Sequence, residues 1–381
     1  MCRCTFLAGC DGAHSTVRDV VGAAFAGGAY EHLFYVADVT ARGPAIDDGV
    51  HVDLDAADLL AVFDMKGTGH ARLVGTIRAD AAERRANEPM TFEDVARRPI
   101  EQLGLEIDRV NWFSTYHVNH RVASRFRAGR AFLLGDAAHV HSPVGAQGMN
   151  TGIGDAVNLG WKLAMATRDG ADAGLLDTYE LERMAFARTL VTTTDRAFEI
   201  ATKSGRLAAF VRTTVFPTLV SMVFRSRAAR RYLFRTVSQL GIDYRESPLS
   251  VGRAGAVRGG DRLPWTGAVE GCDNFTALSS LRWQAHVYGF SVPNDLRYAC
   301  AEAGLALYQF SWRPSMARSG LERDALYVVR PDGYVAFVDP GRDADRLRSY
   351  FTRWGIRGGW PCSPSPDSPR SGMKTSTPPA A

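Results

Sequence analysis

Gly129-Arg130-Ala131-Phe132-Leu133-Leu134-Gly135-Asp136-Ala137-Ala138-His139 runs on, two residues later, into Ser142-Pro143-Val144-Gly145-Ala146-Gln147-Gly148-Met149-Asn150. Ala131 to Leu134 is an unbroken apolar run that stops at a glycine and an acid, the pattern of a short strand buried on both faces. Gly145, Gly148 and Gly152 then keep side chains away from the backbone. A helix is expected from Met149 or Asn150 to about Thr167, with Ile153, Val157, Gly160 and Ala164 as its inner stripe. Gly160 would admit a close neighbour, at a helix-propensity cost of about 1 kcal/mol.

A matching block opens the chain: Gly9-Cys10-Asp11-Gly12-Ala13-His14-Ser15-Thr16-Val17-Arg18. Thr5 to Gly9 reads as a strand, and Ser15 to Val21 as a short helix capped by Ser15 and ended by Gly22. Asp11 and Asp136 therefore each stand at the C-terminal end of a strand. A carboxylate there can accept hydrogen bonds from two adjacent hydroxyls, as in sheets that hold the ribose or ribitol of a nucleotide. Gly12 and Gly135 leave room for a ligand against the backbone. The backbone N–H groups of Met149 and Asn150, at a helix start, suit an anionic edge. Either acid alone would read as a turn Asp capping a helix; two motifs in matched order favour the nucleotide.

The 381 residues suffice for two or three domains, and 46% hydrophobic with 23% charged residues is ordinary for a globular protein. A net charge of +4 gives no nucleic-acid signal, and no apolar run reaches the length of a membrane span. Leu7-Ala8-Gly9-Cys10 looks like a lipoprotein cleavage site, but only Phe6, Leu7 and Ala8 are available where an apolar region of roughly 7–15 residues is needed. Cys2, Cys4, Cys10, Cys272, Cys300 and Cys362 form no C-x-x-C pair and no metal set, which reads as reduced thiols in a cytoplasmic protein. His139 and His141 have no further ligands nearby in sequence and read as loop histidines, so no metal is expected.

Between the two motifs, residues 33–39, 59–65 and 71–77 read as sheet strands, Thr91 opens a helix ending near Gly104, and Trp112 to Val118 resumes a strand. Tyr116, His117 and His120, at the end of that strand, are weak candidates for a catalytic base. Residues 177–240 read as helical. From Lys203 to Arg235 there are eight Lys/Arg and no acid, interleaved with apolar residues. A membrane-surface or anionic-partner helix is one reading, but Pro217 interrupts it and a helical pair with a basic solvated face fits better. Strands are expected at 285–288 and 305–312, helices at 294–304 and 343–354, and a hairpin at 325–339 turning at Pro331-Asp332-Gly333. The Pro/Ser-rich stretch after Trp360 is expected to be disordered.

The chain resembles the FAD-dependent aromatic hydroxylases, the group A flavoprotein monooxygenases. Asp11-Gly12 to Arg18 and Gly135-Asp136 match the family's two acidic motifs, and Gln147-Gly148-Met149-Asn150 matches its Gly-Gln-Gly-Met-Asn segment, continued by Asp155, Asn158, Trp161, Lys162 and Leu163. Gln239 to Tyr244 and Ser247-Pro248-Leu249 resemble the phenol and hydroxyphenylpropionate hydroxylase subset. Gly260 to Pro264 and Val329 to Tyr334 resemble that subset's thioredoxin-like domain.

The resemblance implies a mixed α/β (α+β) fold: a truncated FAD-binding Rossmann-like domain over 1–27 and 126–250, the latter with a helical region. An antiparallel-sheet substrate domain over 28–125 is inserted in it, followed by a thioredoxin-like domain over 251–357 and a tail over 358–381. It implies FAD held by Asp11, Gly12, Arg18, Gly135, Asp136, Pro143, Gly145, Gln147, Gly148, Met149 and Asn150. NADPH or NADH would reduce the FAD, and dioxygen would hydroxylate a phenol-like ring. A homodimer is one assembly open to it. The sequence holds no G-x-G-x-x-G; in the family a strand, glycine-rich loop and helix precede the first acidic motif, so Met1 reads as a misplaced start or the mark of a broken gene. The alternatives are a non-catalytic remnant that retains no FAD, and another flavin oxidoreductase of the same fold, such as a halogenase or reductase.

Overall fold

The computed structural model describes residues 3–47, 49–54, 59–65, 69–77, 90–95, 97–141, 147–202, 222, 224–268 and 273–356. Pro143, Gly145, the basic stretch 203–221 and the expected tail over 358–381 lie outside the described residues. Two compact units are present: Met1–Gly160 with Asp177–Asp243, and Trp161–Leu176 with Tyr244–Ala381.

The first unit begins with β1 (Leu7–Gly9), α1 (Thr16–Val20), β2 (Phe25–Arg42), β3 (Val50–Leu54), β4 (Leu59–Met65) and β5 (His70–Ile77). Then come α2 (Arg97–Gln102), β6 (Glu106–Ala123), β7 (Arg127–Ala128), β8 (Ala131–Leu133) and β9 (His139–Val140). The helices α3 (Gly148–Ala164), α4 (Gly174–Thr202) and α5 (Arg227–Val237) follow.

The six-stranded sheet has the order β3-β4-β5-β2-β6-β9, and every pairing in it is antiparallel. Its strands bury alternate residues. Tyr35, Ala37 and Val39 meet Leu60, Val62 and Leu73 in a core closed by Val95 and Leu105. On the other face Phe34 and Val118 pack with Tyr30 and Tyr116. The helix expected from Thr91 is two pieces: a single turn over Phe92–Asp94, in which the Thr91 amide donates to Asp94 Oδ2 at 2.9 Å, and then α2. A continuous helix would need Pro99 to donate an N–H to the carbonyl of Val95, and proline has none; in the first turn of α2 it does no harm.

A separate three-stranded sheet has the order β1-β8-β7. Its central strand is the apolar run of the second motif, and β1 pairs parallel with it, Leu7 with Ala131 and Gly9 with Leu133. Phe132 is fully buried, with its ring centroid 5.8 Å from that of Tyr179, and Tyr179 Oη donates to the Leu133 carbonyl at 2.6 Å.

Helix α3 corrects the expected inner stripe. Ile153 and Val157 are 53% and 48% exposed, while Thr151, Asp155 and Asn158 are the buried side chains. Gly160 admits no neighbour: a Cβ there would meet nothing within 4 Å. The side facing inward is polar because its groups have partners, as where Asn158 Nδ2 donates to Glu182 Oε2 at 2.7 Å.

The second unit contains the paired strands β10 (Arg253–Ala254) and β11 (Val257–Arg258), then β12 (Gln284–Tyr288), α6 (Asn294–Glu302), β13 (Ala306–Phe310), α7 (Pro314–Arg318), β14 (Leu326–Val329), β15 (Val335–Asp339) and α8 (Ala344–Trp354). Strand order is β13-β12-β14-β15, with β12 parallel to β13 and antiparallel to β14. This is the thioredoxin-like topology implied by the resemblance. Ala285, Val287, Leu326 and Val328 pack under Leu296, Ala299, Leu347 and Phe351. The hairpin turns where expected, the Gly333 amide donating to the Arg330 carbonyl at 2.9 Å. Arg330 is fully buried beside the Trp161, Tyr244 and Tyr334 rings and pairs with Asp332, which also accepts from Trp161 Nε1 at 3.0 Å.

Candidate functional site

The two acidic motifs, far apart in sequence, meet in the first unit. Parallel pairing of β1 with β8 brings both strands to their C-terminal ends together, and the Leu134 amide donates to the Gly9 carbonyl at 3.0 Å. Gly9 is required there, because a Cβ would lie 2.8 Å from Val17 Cβ and drive α1 off the strand. Arg18 is buried, with its guanidinium 3.9 Å from the Phe25 ring centroid; it donates to Ala13 O at 2.9 Å and to Ala137 O at 3.2 Å. It braces one motif against the other.

Asp11 is turned toward α1. Its carboxylate accepts from Ser15 Oγ at 2.5 Å and from the Val17 amide at 3.1 Å, and these bonds hold it below the ordinary carboxylate value. Ser15 caps the helix as expected, accepting from the Arg18 amide at 3.0 Å. Gly12, at φ +81°, has open space where a Cβ would stand.

Asp136 differs. It sits in a single turn after β8, exposed, and no hydrogen bond or ion pair engages its carboxylate among the described residues. The turn begins at Gly135, whose φ of +57° favours glycine. A Cβ on Gly152 would lie 3.3 Å from Gly135 Cα, so two glycines let α3 lie close against this turn.

The group that fixes the turn is Asp155, which the motif reading left without a role. Fully buried on α3, it accepts from the Gly135 amide at 2.9 Å, from His139 Nε2 at 2.8 Å and from Arg183 Nε at 2.6 Å. Arg183 also donates to Thr151 O at 3.0 Å. Burial is the strongest single influence on the Asp155 carboxyl and pushes it up. The His139 hydrogen bond, the Arg183 charge and the Gly135 amide together outweigh it and hold the group below the ordinary value. His139, expected as a loop residue beside a ligand, is thus a buried strut. The sequence signal was present: Thr151, Asp155, Asn158 and Lys162 recur at helical spacing.

Met149 and Asn150 are exposed in the first turn of α3, where their N–H groups have no acceptor within the helix. Gln147 is buried, and its side chain donates to Thr236 O at 3.4 Å. Gly148 is next to His141; a Cβ there would lie 3.8 Å from the imidazole. A carboxylate engaged by no described residue, first-turn amides without an acceptor in the helix and open space at Gly12 fit the ribityl chain and pyrimidine edge of a flavin.

On the six-stranded sheet, Tyr116 pairs with Phe34 and His120 with Gly28. Tyr116, Val118 and His120 share one face. The Tyr116 and Phe34 ring centroids are 5.8 Å apart, and His120 stands edge-on to Tyr30 at 4.7 Å. His120 Nδ1 is buried without a hydrogen-bond partner among the described residues, and burial pushes the Tyr116 phenol up. His117 is exposed and points to the opposite face. Away from these residues, a cavity of about 420 Å³ is lined by Asp38, Thr40, Met65, His70, Arg109 and Asn111, where Thr40, His70 and Asn111 hydrogen-bond to one another. Among the described residues no group of His, Cys, Asp and Glu could hold a metal ion, and no helix is long and apolar enough to cross a membrane.

Residues 1–194 match the FAD binding domain family. A flavin-dependent monooxygenase of Mycobacteroides abscessus is 30% identical over 88% of this chain and 64% of its own length. The 12-dehydrotetracycline 5-monooxygenase/anhydrotetracycline 6-monooxygenase of Streptomyces rimosus is 31% identical over 92% of this chain and 70% of its own. The structure of OxyS anhydrotetracycline hydroxylase from Streptomyces rimosus superposes with a TM-score of 0.70 at 28% identity, covering 93% of this chain and 70% of that one. The chain thus spans 64–70% of the length of these relatives. Matched motifs, matched topology and matched relatives agree, and the chain belongs to the FAD-dependent aromatic hydroxylase family.

Proposed function

We propose that the chain binds FAD at the meeting of its two acidic motifs and hydroxylates a phenol-like aromatic compound with dioxygen, using electrons from NADPH or NADH. One observation carries this: the exposed Asp136 carboxylate, engaged by no described residue, stands on a turn that packs against α3 at Gly152 and is fixed from beneath by Asp155. Asp136 would accept hydrogen bonds from ribityl hydroxyls, and the Met149 and Asn150 amides would face the pyrimidine edge. Pro143, Gly145, Gln147 and Gly148 belong to the same edge by resemblance, with Gly12 and Gly135 leaving space and Asp11 and Arg18 bracing the motifs. When bound, FAD supplies the redox and dioxygen chemistry that no side chain can.

Tyr30, Phe34, Tyr116 and Val118 would pack an aromatic ring and exclude water. His120 suits the base: its Nδ1 lies buried without a partner among the described residues, whereas burial pushes the Tyr116 phenol up and keeps it protonated. His117 is set aside by its face. We also place the chain in the cytoplasm, the compartment of NADPH and reduced thiols, and a homodimer remains open to it.

The test is purified protein titrated with FAD, then assayed for NADPH- or NADH-dependent oxygen uptake on phenols with the product identified by mass spectrometry. Hydroxylated product supports the proposal. Flavin turnover to a non-hydroxylated product points instead to a halogenase- or reductase-type enzyme. A chain that retains no FAD is the second reading. It is favoured by the exposed Met149, Ile153 and Val157 on α3, an apolar side left in water, and a protein that stays colourless with added FAD would establish it.

A further inference from the structure

Helix α5 ends in a way its sequence does not favour. The Leu240 amide donates to Arg235 O at 2.9 Å and the Gln239 amide to Thr236 O at 3.1 Å, the paired bonds of a Schellman cap. The residue at the left-handed position of this cap is Gln239, at φ +55°, where glycine is the usual choice. A side chain there costs about 1 kcal/mol or more. Glycine stands two residues further on, at Gly241, and does not take the position.

The Gln239 side chain accounts for the exception. Its Nε2 donates to Thr151 Oγ1 at 2.9 Å and to the Gln147 carbonyl at 3.4 Å. Gln147 answers through its own Nε2, which donates to Thr236 O at 3.4 Å on the last turn of α5. The Gln147 carbonyl also accepts from the Thr151 amide at 3.0 Å and from Thr151 Oγ1 at 2.8 Å. Two glutamines therefore exchange side-chain bonds between the end of α5 and the start of α3, around a Thr151 that is fully buried. Nothing else in the cap needs a side chain at 239.

We infer that Gln239 is a positioning residue: its clasp on Gln147 and Thr151 fixes the first turn of α3 and so aims the Gly148, Met149 and Asn150 amides. Its bearing on cofactor rests on the FAD reading above, in which those amides face the pyrimidine edge. A strained conformation held for a side-chain contact beside a binding element is where local rules are expected to yield to function.

Gln239→Gly separates the clasp from the strain, because glycine takes φ +55° freely. The variant is expected to fold and to melt no lower than the parent chain. Gln239→Ala keeps the strain, loses the clasp, and should melt lower than the glycine variant. In both, amide hydrogen exchange followed by mass spectrometry should speed up at least about tenfold in peptides covering 147–152, with β12 to β15 unchanged. With FAD added, both should bind it more weakly by a factor of about 3–10, and the flavin midpoint potential should move to lower values as amide support for the reduced form is lost. Unchanged exchange at 147–152 in the glycine variant overturns the inference. Faster exchange with an unchanged potential overturns the positioning role and leaves only a structural contact. If the parent chain takes up no FAD, the function reading fails, and the exchange measurement still decides the clasp.

Discussion

The Asp155 carboxylate accepts the amide hydrogen of Gly135 at 2.9 Å, so the turn that carries Asp136 hangs from a buried acid 20 residues further along the chain. The same carboxylate holds His139 and Arg183. The geometry of the exposed acid is thus set by one that solvent and ligand do not reach.

Asp155→Ala removes the carboxylate that faces the buried Arg183 charge. Breaking such a pair costs about 3–5 kcal/mol, and thermal melts should fall by roughly 10 °C. The pH dependence follows from the lowered carboxyl. Its contribution is complete above the unfolded carboxylate value of about 3.9 and is lost as pH falls through the lower folded value. Acid unfolding of the parent chain, compared with the variant, reads that difference.

Asp136→Ala should do the reverse. The side chain is exposed and engages nothing among the described residues, so stability should stay within about 0.5 kcal/mol. FAD affinity should fall about tenfold, the scale of one charge-assisted hydrogen bond. Fluorescence titration with FAD checks it; equal affinity would remove Asp136 from the site.

His120→Asn is expected to lower kcat on a phenol by about 100-fold or more, the usual reach of a general base. FAD affinity should not change. Single-turnover hydroxylation with the product quantified checks it: a slowed chemical step with FAD affinity intact supports the role, and an unchanged kcat would assign the proton elsewhere.

In the second unit, His286 is buried on β12, its Nε2 donating to Gln284 Oε1 at 2.8 Å and its Nδ1 accepting from Tyr288 Oη at 3.1 Å. The proton sits on Nε2 because the Gln284 amide nitrogen already donates to the Ala277 carbonyl, leaving its oxygen to face the ring. Burial pulls this histidine down to about 3. Below an unfolded value of about 6.5 the unfolded chain binds a proton that the folded one refuses, so stability drops as pH falls from 6.5 toward 3. The slope from this one group is at most about 1.4 kcal/mol per pH unit. A His286→Phe variant should be less stable at pH 7 yet lose that part of the slope, as denaturant melts at several pH values will show.

Much of the fold was legible because alternation and turn chemistry are local. Residues 59–65 form the expected strand, Ser15 caps its helix, and Asp332-Gly333 turns the hairpin. The buried face of α3 was misread for a physical reason: apolar spacing assumes that the apolar side goes inward, while here the inward side is a satisfied polar network around Asp155. The Arg18 brace, the Asp155 strut and the Gln239 clasp join residues remote in sequence and leave no periodic trace. Asp136 stood out in its motif, but that Asp11 would turn to its own helix while Asp136 stayed open needed the packed strands.

The most direct test of the account is equilibrium titration of the purified chain with FAD, followed by visible absorbance and by flavin fluorescence. The account predicts saturable uptake of one FAD per chain, with a perturbed flavin spectrum and weaker uptake in Asp136→Ala. Flavin that stays spectrally free at every protein concentration, with the chain folded by its cooperative melt, would contradict it.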